Sequence, residues 1–437
     1  MAASSTPVPR CAIAGWVLYD LANTVFSMGV VSLVFPLWVR GQVGETRADA
    51  VYGVITGLSM GAIFVVSPLL GAWTDRARRR MPFLVVSTLL CVAATALLAR
   101  AGFGVTAALF VLANICYQAG LQFYDSLLPE VSDESNRGKI GGIGVGVGYF
   151  GSYLAVGASL FLGSEDQPRL FALYAAAFAL LAVPCFVFVR ERGNPAPRPL
   201  TLGGAVAAVR ETLATLRTTR RFPGLARFLI GRVFYTDAIN TVISFMTLFT
   251  VNVALANGRD RAAASRQAQF IMLAAITCAV AGGFFWGRLT DRLGPKRTLT
   301  LVLGCWMAFF ALAAATGIFA LPLAAMYVVA CGAGFSLGGV WSADRPYMLR
   351  LTPPERVGEF YGLYGMVGRF SAITGPFLWA AILHLTVDRL GLTPLRGQGI
   401  AVLSLLGLTF VSYVILRPVS DAPRDWARLA REHADAA

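Results

Sequence analysis

Twelve apolar stretches, each long enough to cross a bilayer, follow one another along this chain with only short charged or Pro/Gly-rich breaks between them. They fall at about 12–39, 49–71, 81–100, 102–127, 139–163, 169–189, 225–254, 267–288, 297–319, 321–346, 358–386 and 397–416. A hydrocarbon core about 30 Å thick takes roughly 20 apolar residues per helix. Within it every backbone polar group must bond inside its own segment. The expected fold is therefore an all-α integral membrane protein of twelve transmembrane helices. Of the 437 residues 57% are hydrophobic and only 14% charged, which leaves no room for a sizeable soluble domain.

The formal charge of +14 would point to nucleic acid in a soluble protein, but here Lys and Arg stand in the breaks between apolar stretches. They read as topology signals. Both termini are expected in the cytoplasm, with the chain in the plasma (inner) membrane if it is bacterial. The expected partners are the lipid bilayer, a small-molecule solute and protons; no nucleic acid is expected, and the chain is expected to be a monomer. Seven cysteines lie at or inside apolar stretches without a C-x-x-C pair or a nearby His, a pattern that fits neither a disulfide framework nor a zinc site. No metal and no cofactor are expected. There is no G-x-x-x-x-G-K-S/T or H-E-x-x-H, which argues against an ATP-driven pump and a zinc hydrolase; G-x-S-x-G occurs only inside apolar stretches, at 57–61 and 334–338, and an enzyme is not expected. The first apolar stretch is too long for a cleavable leader and reads as a retained span.

The chain repeats itself. Asp20-Leu21-Ala22-Asn23-Thr24 in span 1 returns 217 residues later as Asp237-Ala238-Ile239-Asn240-Thr241 in span 7. The loop Gly71-Ala72-Trp73-Thr74-Asp75-Arg76 after span 2 returns 216 residues later as Gly287-Arg288-Leu289-Thr290-Asp291-Arg292 after span 8. Asp125 and Asp344 end spans 4 and 10, and Arg137-Gly138 and Arg356-Val357-Gly358 open spans 5 and 11. A shared offset means two six-helix pseudo-repeats of the same orientation, a plan that places the substrate path at their interface near the midplane. The expected divisions are a first bundle at 1–190, a cytoplasmic linker at 191–224 with an amphipathic run at 202–216, a second bundle at 225–419 and a cytoplasmic tail at 420–437.

The loop at Gly71 to Arg80, with its degenerate copy at Gly287 to Arg297, resembles the signature loop of the major facilitator superfamily, and the resemblance covers the whole chain. Gly15-Trp16-Val17-Leu18-Tyr19-Asp20-Leu21-Ala22-Asn23-Thr24 is similar to the opening span of the vacuole-effluxer-like branch, with Thr24 where a Ser is usual. Leu127-Leu128-Pro129-Glu130-Val131, followed by Arg137-Gly138 and the glycines from Gly141 to Gly151, is similar to the same branch. The resemblance implies gradient-driven transport by alternating access. Fungal members of the branch are associated with amino-acid export from the vacuole, so a small polar or zwitterionic, amino-acid-like solute is the first expectation. Export of amphipathic compounds or lipids, and sugar transport, stand as alternatives.

Asp20 lies about 13 Å into span 1 at 1.5 Å per residue, near mid-bilayer, where an ionised carboxylate needs a proton, a cation or water. It and Asp237 are the candidate coupling residues. Asn23 and Thr24 share a helix face with Asp20, as Asn240 and Thr241 do with Asp237, and are candidate substrate ligands. The bland reading of both carboxylates is polar glue between helices. Arg369, deep in span 11, binds an anionic group of the substrate, pairs with Asp20 or Asp237, or makes a purely structural contact. Gln118 and Gln122, four apart on span 4, and Tyr19 and Tyr235 are further substrate candidates, each with packing as its alternative. Arg232 is expected to gate or to snorkel to the interface. Asp75, Arg76, Asp291 and Arg292, with Asp125, Asp344 and Arg345, are candidate gating residues. In that reading Asp75 meets the positive N-terminus of a neighbouring helix, and Arg76 and Arg292 pair with Asp125 and Asp344.

Overall fold

The structure is a computed structural model that describes residues 8–162, 166–194 and 224–422, together with 197, 201, 203, 204, 206, 207, 210, 424 and 426. Most of the expected amphipathic run at 202–216 and most of the tail beyond 422 lie outside the described residues. Among the described residues the chain is helical throughout, without strands. Ten helices among the described residues are long and apolar enough to cross a membrane, namely α1 Arg10–Val43, α2 Glu45–Arg76 (its apolar stretch Val51–Arg76), α4 Phe103–Ser126, α5 Arg137–Leu162, α6 Gln167–Phe188, α7 Leu225–Ala256, α8 Arg261–Leu293, α9 Pro295–Phe319, α10 Ala324–Leu351 and α12 Pro394–Leu416. The shorter apolar helix α3 Met81–Ala96 and α11 Val357–Leu383 occupy the two remaining expected positions. The outward side chains of the long helices are apolar, with Phe161 90% and Leu160 80% exposed at the end of α5. Water would not tolerate so much exposed apolar surface, whereas lipid does.

Side-chain caps close several of the helix starts, in two different ways. Asp166, Asp260 and Thr393 accept hydrogen bonds from Arg169, Ala263 and Arg396 N at the starts of α6, α8 and α12, all even-numbered helices. The odd-numbered α3 and α9 are capped from far along the chain. Glu191 accepts from Arg80 N at 2.6 Å and Met81 N at 3.0 Å, and Asp421 accepts from Lys296 N at 3.1 Å. In each repeat, then, the first acid after the sixth helix satisfies the open N–H groups of the third. Near the middle of α1 the backbone widens into a π-helical stretch, Phe26–Val34, just before Pro36, which has no N–H to donate to the preceding turn.

The chain divides into two compact units. Unit 1 comprises Met1–Thr212 with Pro354–Met366, and unit 2 comprises Leu213–Pro353 with Val367–Ala437. The first turns of α11 thus belong with the first repeat. Inside unit 1, α1 packs on α5 and α6, α3 on α4 and α6, and α2 on α4; inside unit 2, α7 packs on α12, α9 on α10 and α12, and α8 on α10. The repeat seen in sequence is therefore a repeat of packing, but the chemistry of equivalent contacts differs. Between α2 and α4 it is polar: Asn114 Nδ2 donates to Ser59 Oγ at 3.0 Å, and two turns on Gln122 Nε2 donates to Ser67 O at 3.0 Å. Between α8 and α10 hydrogen bonds such as Gln267 Nε2 to Tyr327 Oη at 2.7 Å and Trp286 Nε1 to Phe335 O at 3.1 Å are joined by direct backbone contact. A Cβ on Gly282 would collide with Phe335 O, and one on Gly334 with Ala275 O, so these backbones touch as small-residue stripes allow.

Candidate functional site

Unit 1 holds Asp20, Asn23 and Thr24 on α1 against a glycine stripe on α5. A Cβ on Gly148 would stand 3.1 Å from Asp20 Oδ2, one on Gly144 2.6 Å from Trp16 Cζ3, and one on Gly151 2.9 Å from Thr24 Cβ. The glycines from Gly141 to Gly151 thus make room for the polar face of α1. Asp20 is buried. Thr24 Oγ1 donates back to Asp20 O at 3.1 Å. Asn23 is 3% exposed, and neither its Nδ2 nor its Oδ1 has a hydrogen-bond partner. An amide in that condition costs free energy until something bonds to it.

Unit 2 builds the matching face differently. Asp237 Oδ1 accepts from Thr374 Oγ1 of α11 at 3.0 Å. The hydroxyl of Thr241, 0% exposed, has no hydrogen-bond partner. Gly375 lets α11 approach, since a Cβ there would collide with Thr241 Oγ1 and stand 2.8 Å from Asp237 Oδ1. Asn240 is half-buried and Arg369 buried. Neither Thr374 nor Gly375 was singled out from sequence, because nothing in the pattern of α11 says which of its residues meets α7.

Several other expected substrate ligands have their polar atoms engaged inside a bundle. Gln122 is tied to Ser67 at both amide atoms. Gln118, one turn earlier, is half-buried on the same face. Tyr19 Oη bonds Thr88 Oγ1 at 2.6 Å, and its ring stacks on Tyr124. Tyr235 Oη donates to Asp344 Oδ1 at 2.6 Å. Arg232 does not snorkel: its Nε donates to Asp344 Oδ2 at 3.0 Å, with both side chains almost wholly buried. Arg232 and Tyr235 are three apart on one face of α7, and Gly368 of α11 leaves space for the guanidinium. Asp344 thus takes two donors from α7. Arg292, the partner expected from sequence, is exposed, while Asp291 is half-buried and Arg345 buried.

At the end of α2 the signature loop forms a compact polar corner within unit 1. Asp75 Oδ1 accepts from Gly358 N at 2.8 Å, and Oδ2 from Glu359 N at 2.7 Å. The carboxylate thereby caps the N-terminus of α11, where the helix dipole favours it. Gly71, the first residue of the signature, touches Gly358 O so closely that a Cβ would not fit. Arg80 pairs with Asp75, at 2.8 Å. The chain turns out of helix at Ala77, which carries Arg80 back beneath the helix end, where its Nη1 also reaches Ser126 O at 3.4 Å. Arg76 lies against Gly204, while Asp125 is buried beside Ser126. Glu191, outside the spans, has its carboxyl pushed above the usual range by burial, with the N–H groups of Met81 and Arg80 opposing the rise.

Comparison with known proteins agrees with this architecture. A family described as "Vacuole effluxer Atg22 like" matches residues 37–416. The chain is 29% identical over 393 residues to an uncharacterized protein of Aquifex aeolicus, covering 89% of this chain and 94% of the relative. It is 24% identical over 419 residues to the uncharacterized MFS-type transporter YxiO of Bacillus subtilis, covering 91% and 94%. Autophagy-related protein 22 of Pyricularia oryzae is 28% identical over 284 residues, 57% of this chain and 40% of the fungal one. Among solved structures, the human organic anion transporter MFSD10 superposes with a TM-score of 0.70 at 16% identity over 93% of this chain and 98% of its own. The proton:xylose symporter XylE superposes with a TM-score of 0.64 at 13% identity over 93% of each chain. With its twelve helices, its signature corner and a family match over most of its length, this chain belongs to the vacuole effluxer Atg22-like family and is a major facilitator superfamily transporter of the membrane.

Proposed function

We propose that the protein is a proton-coupled secondary transporter moving a small polar or zwitterionic, amino-acid-like solute by alternating access. Asp20 and Asp237 are its coupling groups. The observation that carries this reading is the pair of D-x-x-N-T faces, each with a buried carboxylate and each retaining buried polar capacity that the protein does not use: the Asn23 amide in unit 1 and the Thr241 hydroxyl in unit 2. Polar glue would have satisfied these atoms. A ligand-binding face leaves them for a ligand, since a site built to hydrogen-bond its substrate gains selectivity from those bonds. Arg369 is the candidate for a substrate carboxylate. The Asp75 cap on α11 acts as a latch that must open when the cytoplasmic ends part. The protein works as a monomer in the plasma membrane with both termini inside.

The test is uptake into proteoliposomes of a labelled panel of amino acids, sugars and lipophilic organic ions, with and without an imposed pH gradient. The expected result is gradient-stimulated flux of an amino-acid class that Asp20→Asn and Asp237→Asn both abolish while the protein stays folded. Flux indifferent to the gradient, with both variants silent, makes the carboxylates structural and refutes the reading.

A further inference from the structure

We infer that the Asp237 face of unit 2 is a binding site for a hard monovalent metal cation of the sodium class. The inference rests on the reading of Asp237 as a coupling group and goes beyond it by adding a second ion, which would compete with the proton for the same carboxylate. Three side-chain oxygens from two helices close on one spot. Asp237 Oδ1 and Thr374 Oγ1 are 3.0 Å apart, and Thr241 Oγ1 and Asp237 Oδ1 both crowd the point where Gly375 lacks a Cβ. Oxygen donors of this kind suit hard cations and not soft ones.

The charge fits as well. One carboxylate among neutral hydroxyls balances a single positive charge, whereas a divalent ion usually draws on more carboxylates. Arg232, five residues before Asp237, has Asp344 at 3.0 Å to balance its charge. Arg369, five residues before Thr374, falls on another face of α11. The hydroxyl of Thr241 is the independent sign of a ligand. Threonines in these helices commonly donate to the carbonyl four residues back, as Thr236, Thr250 and Thr24 do. Thr241 is fully buried and does not. Its equivalent Thr24 uses its hydroxyl within α1, so the site belongs to unit 2. Thr374 is only half-buried and gives the ion a way in. One turn beyond, Trp379 stacks on Phe245 with centroids 4.8 Å apart, each aromatic four residues after a residue of the site, so occupancy should register in tryptophan emission.

The experiment follows thermal unfolding of the purified full-length protein by tryptophan fluorescence while sodium chloride replaces choline chloride at constant ionic strength. The expected result is a saturable rise in the unfolding midpoint with sodium. Thr241→Val, which keeps the branched shape, should weaken the apparent sodium affinity about tenfold, the loss of one ligand worth about 1.4 kcal/mol. Asp237→Asn should remove the rise, and Thr250→Val, on the same helix away from the site, should leave it intact. Equal midpoints in sodium and choline, or an equal rise in every variant, overturn the inference. Sodium binding absent while gradient-driven flux still depends on Asp237 overturns this inference alone. Sodium binding present while flux ignores both carboxylates supports the ion site and refutes the coupling reading.

Discussion

Asp344 can stay in the interior of unit 2 because Arg232 Nε and Tyr235 Oη both donate to it. Removing one member leaves the other charge buried without its counterion, which typically costs 3–5 kcal/mol, about the cost expected here. Arg232→Met and Asp344→Asn should each lower the unfolding midpoint in detergent, and the double variant should be more stable than the sum of the two losses. Strict additivity would mean that the pair is not coupled. Glycines make an equally local prediction. Gly375→Ala drives a methyl into Thr241 Oγ1 and should cost about 1–3 kcal/mol together with transport. Gly41→Ala, with nothing within 4 Å of the new carbon, should be neutral or slightly stabilising, as expected for a glycine replaced in a helix. Midpoints and flux for the two variants check both statements.

At the scale of helices, the sequence showed where the spans lie but not how they meet. Apolar length and the D-x-x-N-T and G-x-x-x-D-R repeats were legible because depth in a bilayer and an internal copy are one-dimensional properties. The partners of α11 were not, since Gly358, Gly362, Thr374 and Gly375 become special only once α2 or α7 is set against them. For the same reason Gln122, Tyr19 and Tyr235 looked like ligands: a polar atom in an apolar run shows that a partner is needed and not which one. Two measurements probe the packing. Cys278 of α8 lies within hydrogen-bonding reach of Cys331 of α10, one turn before the Gly282–Phe335 contact. Mild oxidation with copper phenanthroline should join that pair, given that a disulfide spans Cα atoms roughly 4.4–6.8 Å apart. Failure to find the linked peptide by mass spectrometry would contradict the close crossing. Glu191 binds more protons folded than unfolded between its ordinary pKa and its raised one. Its contribution to stability is therefore complete below the ordinary value and lost as pH rises through the raised one. Glu191→Gln should flatten that slope in midpoint against pH.

For the whole molecule, the two repeats share one packing plan and differ in the chemistry placed on it. Unit 1 sets Asp20 and an unsatisfied amide against bare glycine backbone; unit 2 sets Asp237 among hydroxyls and carries the buried Arg232–Asp344 pair. On the proposed reading, halves that differ in this way give solute and driving ion different places to bind. Neutralising a coupling carboxylate fixes it in the form it takes when charge-compensated, so the loaded carrier should still turn over while losing its drive. Once a transported solute is in hand, the decisive measurement compares accumulation against a gradient with solute exchange at zero gradient, in wild type, Asp20→Asn and Asp237→Asn. The account predicts that the variants lose accumulation and keep exchange. Variants that accumulate solute as wild type does would contradict it.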